Sequence, residues 1–287
     1  MKVSTEIASI SRLVGEEKAI ELVAKAGYDA WDFSMFSMCK YDRKTKTLLP
    51  NDHPLASREY LSFAKRLKKV ADDNGIVCNQ SHAPFPVSCK DIRSHLKRAI
   101  ECTSAVGGDI CVIHPDNNRS SRSNMKMYLE LLPFAKSCGV RIATENMWNW
   151  CKLLDKSCFA ACSTAKSFVK HIDAVNDPSF VACLDIGHAE MKGSGGGAAN
   201  MIKALGSRLQ ALHIHDNDRR HDSHQIPFSM DIDFYPIVNA LKEIGYSGYF
   251  TLEASKYLGG FNADDCFLAV KELYNSVRRL SDMYDSL

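Results

Sequence analysis

Residues 180–188 read FVACLDIGH, a short β-rich run that ends on a carboxylate, Asp185, with His188 one short turn further on. The segment before it, Thr164–Val175, carries apolar residues at helical spacing and stops ahead of Asn176-Asp177-Pro178. A second helical pattern, Asn200–Leu205, follows and stops at Gly206, and another β-rich run, Leu209–His213 (LQALH), comes next. Strand, helix and strand in that order imply parallel pairing through right-handed crossovers.

The unit repeats along the chain. Further β-rich runs are Lys2–Ile7 (KVSTEI), Tyr28–Phe33 (YDAWDF), Val77–Ser81 (VCNQS) running into His82, Ile110–His114 (ICVIH), Arg141–Glu145 (RIATE) and Tyr249–Glu253 (YFTLE). Helical patterns at Glu16–Ala26, Arg58–Asn74, His95–Val106, Met125–Cys138 and Phe234–Ile244 separate them, most stopping at a glycine, and Asp264–Met283 closes the sequence. Eight strand–helix units predict an α/β fold, a closed (β/α)8 TIM barrel forming one domain over residues 1–287. A doubly wound open sheet usually has fewer strands and often a Gly-rich phosphate loop at its first turn, and ASISRLVG after the first run has none. GSGGG (Gly193–Gly197) reads as a flexible loop in preference to a phosphate cradle.

Composition narrows the class. The chain has 287 residues, 45% hydrophobic and 24% charged, so it is too apolar and too evenly charged for disorder. It has no uncharged apolar stretch of about 18 residues, which argues against a membrane span. MKVSTEIASISRL lacks the unbroken apolar core of a signal peptide. Thirty-six basic against 34 acidic residues give +2, too little for a strong nucleic-acid field. Eleven cysteines without a CxxC pair point to reduced thiols in a cytoplasm.

In a TIM barrel the chemistry lies where the strands end. The third run ends at His82, the fourth at His114, the fifth at Glu145 and the sixth at Asp185 near His188. The seventh ends at His213, with Asp222 and His224 in the loop behind it, and the eighth ends at Glu253. Each residue alone has an ordinary capping or solvated role. Together they put several acidic groups around one funnel, where their repulsion is uncompensated. A divalent cation removes that cost by holding carboxylates ionised and histidines neutral. Histidine and carboxylate without cysteine suit zinc, manganese, cobalt or iron(II) better than calcium. His215 lies two residues from His213 and shares its face, so spacing alone leaves that ligand open. His53, His95 and His171 read as surface residues.

The fragments SHAPF, VIHP, TEN, LDIGHAE, LHIHDND, DSHQIPF, IDF and GYFTLEAS, in that order, resemble the xylose isomerase-like TIM barrels. That superfamily unites sugar-phosphate isomerases and epimerases with endonuclease four, and the resemblance runs from the third strand to the eighth. The ketose 3-epimerase branch implies one divalent ion held by Glu145, Asp185, His213 and Glu253, because the first histidine of LHIHD matches the ligand position. It also implies substrate contacts from His188 and Arg219. The endonuclease four branch implies three zinc ions, with further ligands at His82, His114, His188, Asp222 and His224. The expected cofactor is therefore a divalent metal, zinc or manganese, in one to three copies.

The function expected from these readings is a metal-dependent isomerase or epimerase of a small sugar or sugar phosphate. Glu145 and Glu253 would move the proton next to a carbonyl and His188 would orient an oxygen. Arg219 or Lys192 would hold a phosphate or hydroxyl, while Trp148, Trp150 and Phe85 would stack on the sugar. A dehydratase shares the same proton abstraction. A multi-zinc phosphodiesterase on abasic DNA is the second reading. Against it, the basic cluster Lys40, Arg43, Lys44 and Lys46 lacks the apolar wedge that duplex bending uses. The expected partner is a small carbohydrate, with neither membrane nor nucleic acid. The loop near Trp148 and the C-terminal helix are candidate contacts for a homodimer.

Overall fold

The computed structural model describes residues 1–42 and 44–287. Eight strands form one parallel barrel: β1 (Lys2–Glu6), β2 (Ala30–Ser34), β3 (Val77–His82), β4 (Ile110–Val112), β5 (Arg141–Glu145), β6 (Phe180–Asp185), β7 (Leu209–His213) and β8 (Tyr249–Leu252). β1 pairs with both β2 and β8. The ring closes just beyond β7, where the Ile214 N–H donates to the Thr251 carbonyl and the Ile214 carbonyl accepts from the Glu253 N–H, each at 2.9 Å. This is the expected (β/α)8 barrel. The fourth strand ends at Val112, before the anticipated His114: Ile113 still donates to the Ala143 carbonyl at 2.8 Å, but the next donor position in the ladder is Pro115, which has no N–H.

The outer helices are Glu16–Ala26, Tyr60–Asp73, Ile92–Ala105, Ser121–Ser137, Ala165–Val175, Ala198–Leu205, Phe234–Glu243 and Cys266–Asp285. Each turns an apolar stripe inward; Tyr60–Asp73, for example, buries Phe63, Ala64, Leu67 and Ala71. Among the described residues no helix is long and apolar enough to cross a membrane.

Inside the barrel, Ile110, Val112, Ala143, Val181, Cys183 and Ala211 form a small apolar plug. The strand period of two then places the next inward residue of three strands at the mouth. Ala143 leads to Glu145, Cys183 to Asp185, and Ala211 to His213. One alternation thus builds both the dry floor and the polar rim.

Two antiparallel hairpins, Lys40–Asp42 with Thr47–Leu49 and Asn149–Cys151 with Lys156–Cys158, rise from the loops after β2 and β5. Short helices Ala8–Val14 and Ile186–Glu190 sit in the loops after β1 and β6. Of the basic cluster, Arg43 lies outside the described residues. On the second hairpin Leu153, Leu154 and Phe159 are exposed.

The GSGGG segment is a loop, as expected, and two of its glycines have a packing role. A Cβ on Gly195 would lie 2.0 Å from the Ala189 carbonyl oxygen, and one on Gly193 would lie 2.4 Å from that of Ser157. These glycines permit close backbone packing. The helix behind them offers no phosphate cradle, because the Ala198 N–H donates to the Glu190 carboxylate at 2.7 Å. His171 is another correction. It is buried beside Phe168, Ile172 and Val175, with Nδ1 2.7 Å from the Ser167 carbonyl, so it is no surface residue.

Candidate metal centre and active site

The ligand set expected from the sequence converges at the C-terminal mouth. One oxygen of Glu145, Oε2, lies 3.4 Å from His82 Nε2, 3.4 Å from His114 Nε2 and 3.2 Å from His213 Nδ1. Glu253 Oε2 lies 3.8 Å from His213 Nδ1 and 3.8 Å from His224 Nδ1. Asp222 faces His224 Nε2 at 3.1 Å and His188 Nε2 at 3.4 Å. Glu145, Asp185, His213 and Glu253 offer donor atoms within 4.8 Å of one another, and so do His188, His215, Asp222 and His224. A third such group is His82, His114 and Glu145.

The imidazoles are oriented by the backbone. His82 Nδ1 lies 2.8 Å from the Ala83 carbonyl, His188 Nδ1 2.9 Å from that of Asn146, and His224 Nδ1 2.7 Å from that of Glu253. With Nδ1–H donating to a carbonyl, each ring turns a bare Nε2 lone pair toward the mouth, the arrangement usual for metal-binding histidine. Asn146 fixes this corner. Its side chain donates to the Asp185 carbonyl and accepts from the Asp185 N–H, both at 2.8 Å. Asp185 in turn caps the following helix by accepting from the His188 N–H at 2.7 Å.

Three buried atoms at this mouth have no hydrogen-bond partner among the described residues: Asp185 Oδ2, His215 Nε2 and Asp222 Oδ1. His215 Nε2 comes within 3.2 Å of Asp185 Oδ1 and 3.5 Å of Asp222 Oδ1 without bonding to either. Leaving such groups unsatisfied costs about 1–3 kcal/mol each, more where charge is involved. Lone pairs that crowd without pairing fit a shared cation, so the donor set suits a divalent metal of the zinc or manganese type.

The carboxylates and imidazoles of the mouth shift one another's ionisation. Burial pushes Glu145 up, but His213 and His114 hold it well below the usual carboxylate range. Burial also opposes ionisation of Asp222, yet His188 and His224 pull it well below its ordinary value. Conversely, burial depresses His224 while Asp222 raises it, to about 9. His114 is lowered, by burial and by the neighbouring His82.

The remaining expected residues divide. Phe85 stacks on His114 at a ring separation of 4.9 Å and meets His82 edge-on. Trp148 lies edge-on to His188 at 6.4 Å, whereas Trp150 stacks on the exposed His221. Arg219 is held by Glu190 at 3.0 Å, and Lys192 is exposed. A cavity of about 620 Å³ opens over the ends of β1 and β2, lined by Ser11, Arg12, Ser34, Phe36, Lys40 and Asn51 among others; none of the expected ligands lines it, and Phe36 joins it to the mouth by meeting His82 edge-on at 4.8 Å.

Further buried residues join the expected ones at this mouth. Both His213 and His215 are fully buried, as their shared face required, and His215 joins the Asp222 group. Glu6 and Asp32, also buried, add two carboxylates from β1 and β2. Glu6 accepts from the Ser9 N–H at 3.0 Å and from its hydroxyl, and burial raises its pKa. Gly187 matters through what it lacks, since a Cβ there would lie 1.9 Å from His215 Cε1.

The chain is similar to known proteins in sequence and in structure. An uncharacterized protein of Methanocaldococcus jannaschii is 25% identical over 268 residues, covering 75% of this chain and 87% of its own. L-ribulose 3-epimerase of a Methylomonas species is 24% identical over 251 residues, covering 84% and 78%. The crystal structure of a D-tagatose 3-epimerase-like protein superposes with a TM-score of 0.70 at 20% identity, covering 98% of this chain and 99% of the other. Residues 20–266 match the profile of the xylose isomerase-like TIM barrel, and the chain belongs to that family.

Proposed function

We propose that the protein is a divalent-metal-dependent isomerase or epimerase acting on a small sugar or sugar phosphate. The observation that carries this reading is the pair of glutamates, Glu145 from β5 and Glu253 beyond β8, both within 4 Å of one nitrogen of His213. Glu145, Asp185 and Glu253, with His213 or His215, would hold the ion. When bound, a divalent ion supplies Lewis-acid stabilisation to the oxygens of the substrate. One glutamate takes the proton from the carbon next to a carbonyl, and the other returns a proton to the opposite face or the neighbouring carbon. His188, fixed by the Asn146 carbonyl, orients a substrate hydroxyl. The cavity over β1 and β2 receives the part of the substrate that does not react, and Phe85, edge-on to the cavity residue Phe36 at 5.3 Å, flanks it beside His114. The names of the related 3-epimerases support this class. The eleven unpaired cysteines support a reducing, cytoplasmic setting.

A second reading has a specific observation behind it. His82 and His114 gather with Glu145, and Asp222 and His224 gather with His188 and His215, which favours more than one ion and admits phosphodiester hydrolysis on abasic DNA. A dehydratase would begin with the same proton abstraction.

The test is solvent exchange. Metal-loaded protein incubated with a panel of ketoses and ketose phosphates in deuterium oxide is expected to place deuterium next to the carbonyl of at least one of them. Nicking of an abasic duplex without any such exchange would replace this reading with the hydrolytic one.

A further inference from the structure

The buried pair Asp32 and His213 sets itself apart from the other histidines of the mouth. His82, His188 and His224 each rest Nδ1 on a backbone carbonyl and present Nε2. His213 is turned the other way. Its Nε2 lies 3.3 Å from Asp32 Oδ2, and its Nδ1 faces Glu145 at 3.2 Å and Glu253 at 3.8 Å. A side chain takes the place that a carbonyl fills for the others.

Asp32 is built to do this. It is fully buried, on β2, a strand that contributes none of the expected ligands. The Gln80 side-chain N–H donates to Oδ2 at 2.9 Å, and the Ser34 hydroxyl donates to Oδ1 at 3.1 Å. Gln80 also donates to the Leu212 carbonyl at 3.3 Å, one residue before His213. The carboxylate is therefore anchored on two sides and tied to the backbone that carries the imidazole. A buried carboxylate is a stronger acceptor than an amide or carbonyl, so it both selects the Nε2–H tautomer and makes Nδ1 more basic.

We infer that Asp32 is a positioning residue. It holds His213 by Nε2–H so that Nδ1 points at Glu145 and Glu253, the two groups assigned to proton transfer. The inference rests on a cation binding at this mouth, as proposed above.

The experiment uses zinc-loaded full-length protein labelled with nitrogen-15 at histidine. In the wild type the proton of His213 is expected on Nε2; a proton on Nδ1 would overturn the assignment without any variant being needed. In Asp32→Asn, which keeps the shape but not the charge, zinc affinity measured by chelator competition is expected to fall about 10–100-fold, with the His213 proton no longer confined to Nε2. Asp32→Asn added to His213→Ala is expected to cost little beyond His213→Ala alone. An undiminished effect of Asp32→Asn in that background would mean that Asp32 acts on the fold and not through His213, and an affinity within about twofold of wild type for Asp32→Asn itself would also sink the inference. Failure of the wild type to bind zinc at all would instead bring down the metal reading on which it rests.

Discussion

Glu145→Gln is expected to fold yet to lose catalysis, with solvent exchange falling about 10²–10⁴-fold, the range associated with removal of a general acid or base. Metal affinity is expected to fall by more than the roughly 10–100-fold that follows loss of an outer-shell partner. The substitution preserves size and removes one charge. That charge lies within 3.4 Å of three imidazole nitrogens, from His82, His114 and His213, and within 3.7 Å of a fourth, from His188. The amide introduced by the substitution would turn either a neutral oxygen or an NH2 group toward them. Neither compensates protonated histidine, and neither replaces a carboxylate donor to a cation. Titration of the purified variant with manganese or zinc, alongside the exchange assay, checks both effects. Metal-dependent activity at the wild-type level would remove Glu145 from the site.

Gly187→Ala carries the second large effect, and its sign runs against simple propensity. Gly187 sits within the short helix Ile186–Glu190, where alanine ordinarily stabilises by about 1 kcal/mol relative to glycine. Here the new methyl group would overlap the His215 ring, with 1.9 Å to Cε1 and 2.3 Å to Nε2. Those atoms belong to an imidazole that is itself fully buried and stacked on His224 at 4.0 Å, so it has little room to retreat. The ring must swing or the helix must shift, and both separate His215 from Asp185 and Asp222. The expected result is a lower melting temperature and metal affinity reduced at least about tenfold, as for other disturbances of a ligand's surroundings. A stabilised variant with full metal affinity would show that His215 has another position open to it.

Much of the fold is legible because each barrel strand is short, β-rich and followed by a helical pattern with a defined stop. The elements that escape reading have no such signature. The helix Ala8–Val14 interrupts its apolar residues with Ser9, Ser11 and Arg12, and each hairpin strand is three residues long. Glycines 193 and 195 answer to carbonyls of Ser157 and Ala189, and such close approaches are invisible before folding. The burial of His171, by contrast, is legible in principle, since the spacing of Phe168, His171, Ile172 and Val175 marks one buried helical face.

The site follows the same division. Glu145, Asp185 and His213 stand at strand ends and are found by position alone. Asp32 escapes because it lies two residues inside the end of β2, where a strand-end tally does not look. The choice between His213 and His215 turns on side-chain direction, and the period of two sends both inward. Arg219 has the chemistry of an anion contact but is engaged by Glu190, a partner 29 residues away in sequence.

Carboxylates and imidazoles far apart in the chain are proposed to share a cation at one mouth of the barrel. Diffraction from manganese-loaded crystals, recorded where manganese scatters anomalously, tests it most directly. The expected result is an anomalous peak among Glu145, Asp185, Glu253 and one of His213 and His215. Full-length, ordered protein showing no peak between these side chains at saturating manganese or zinc would contradict the claim.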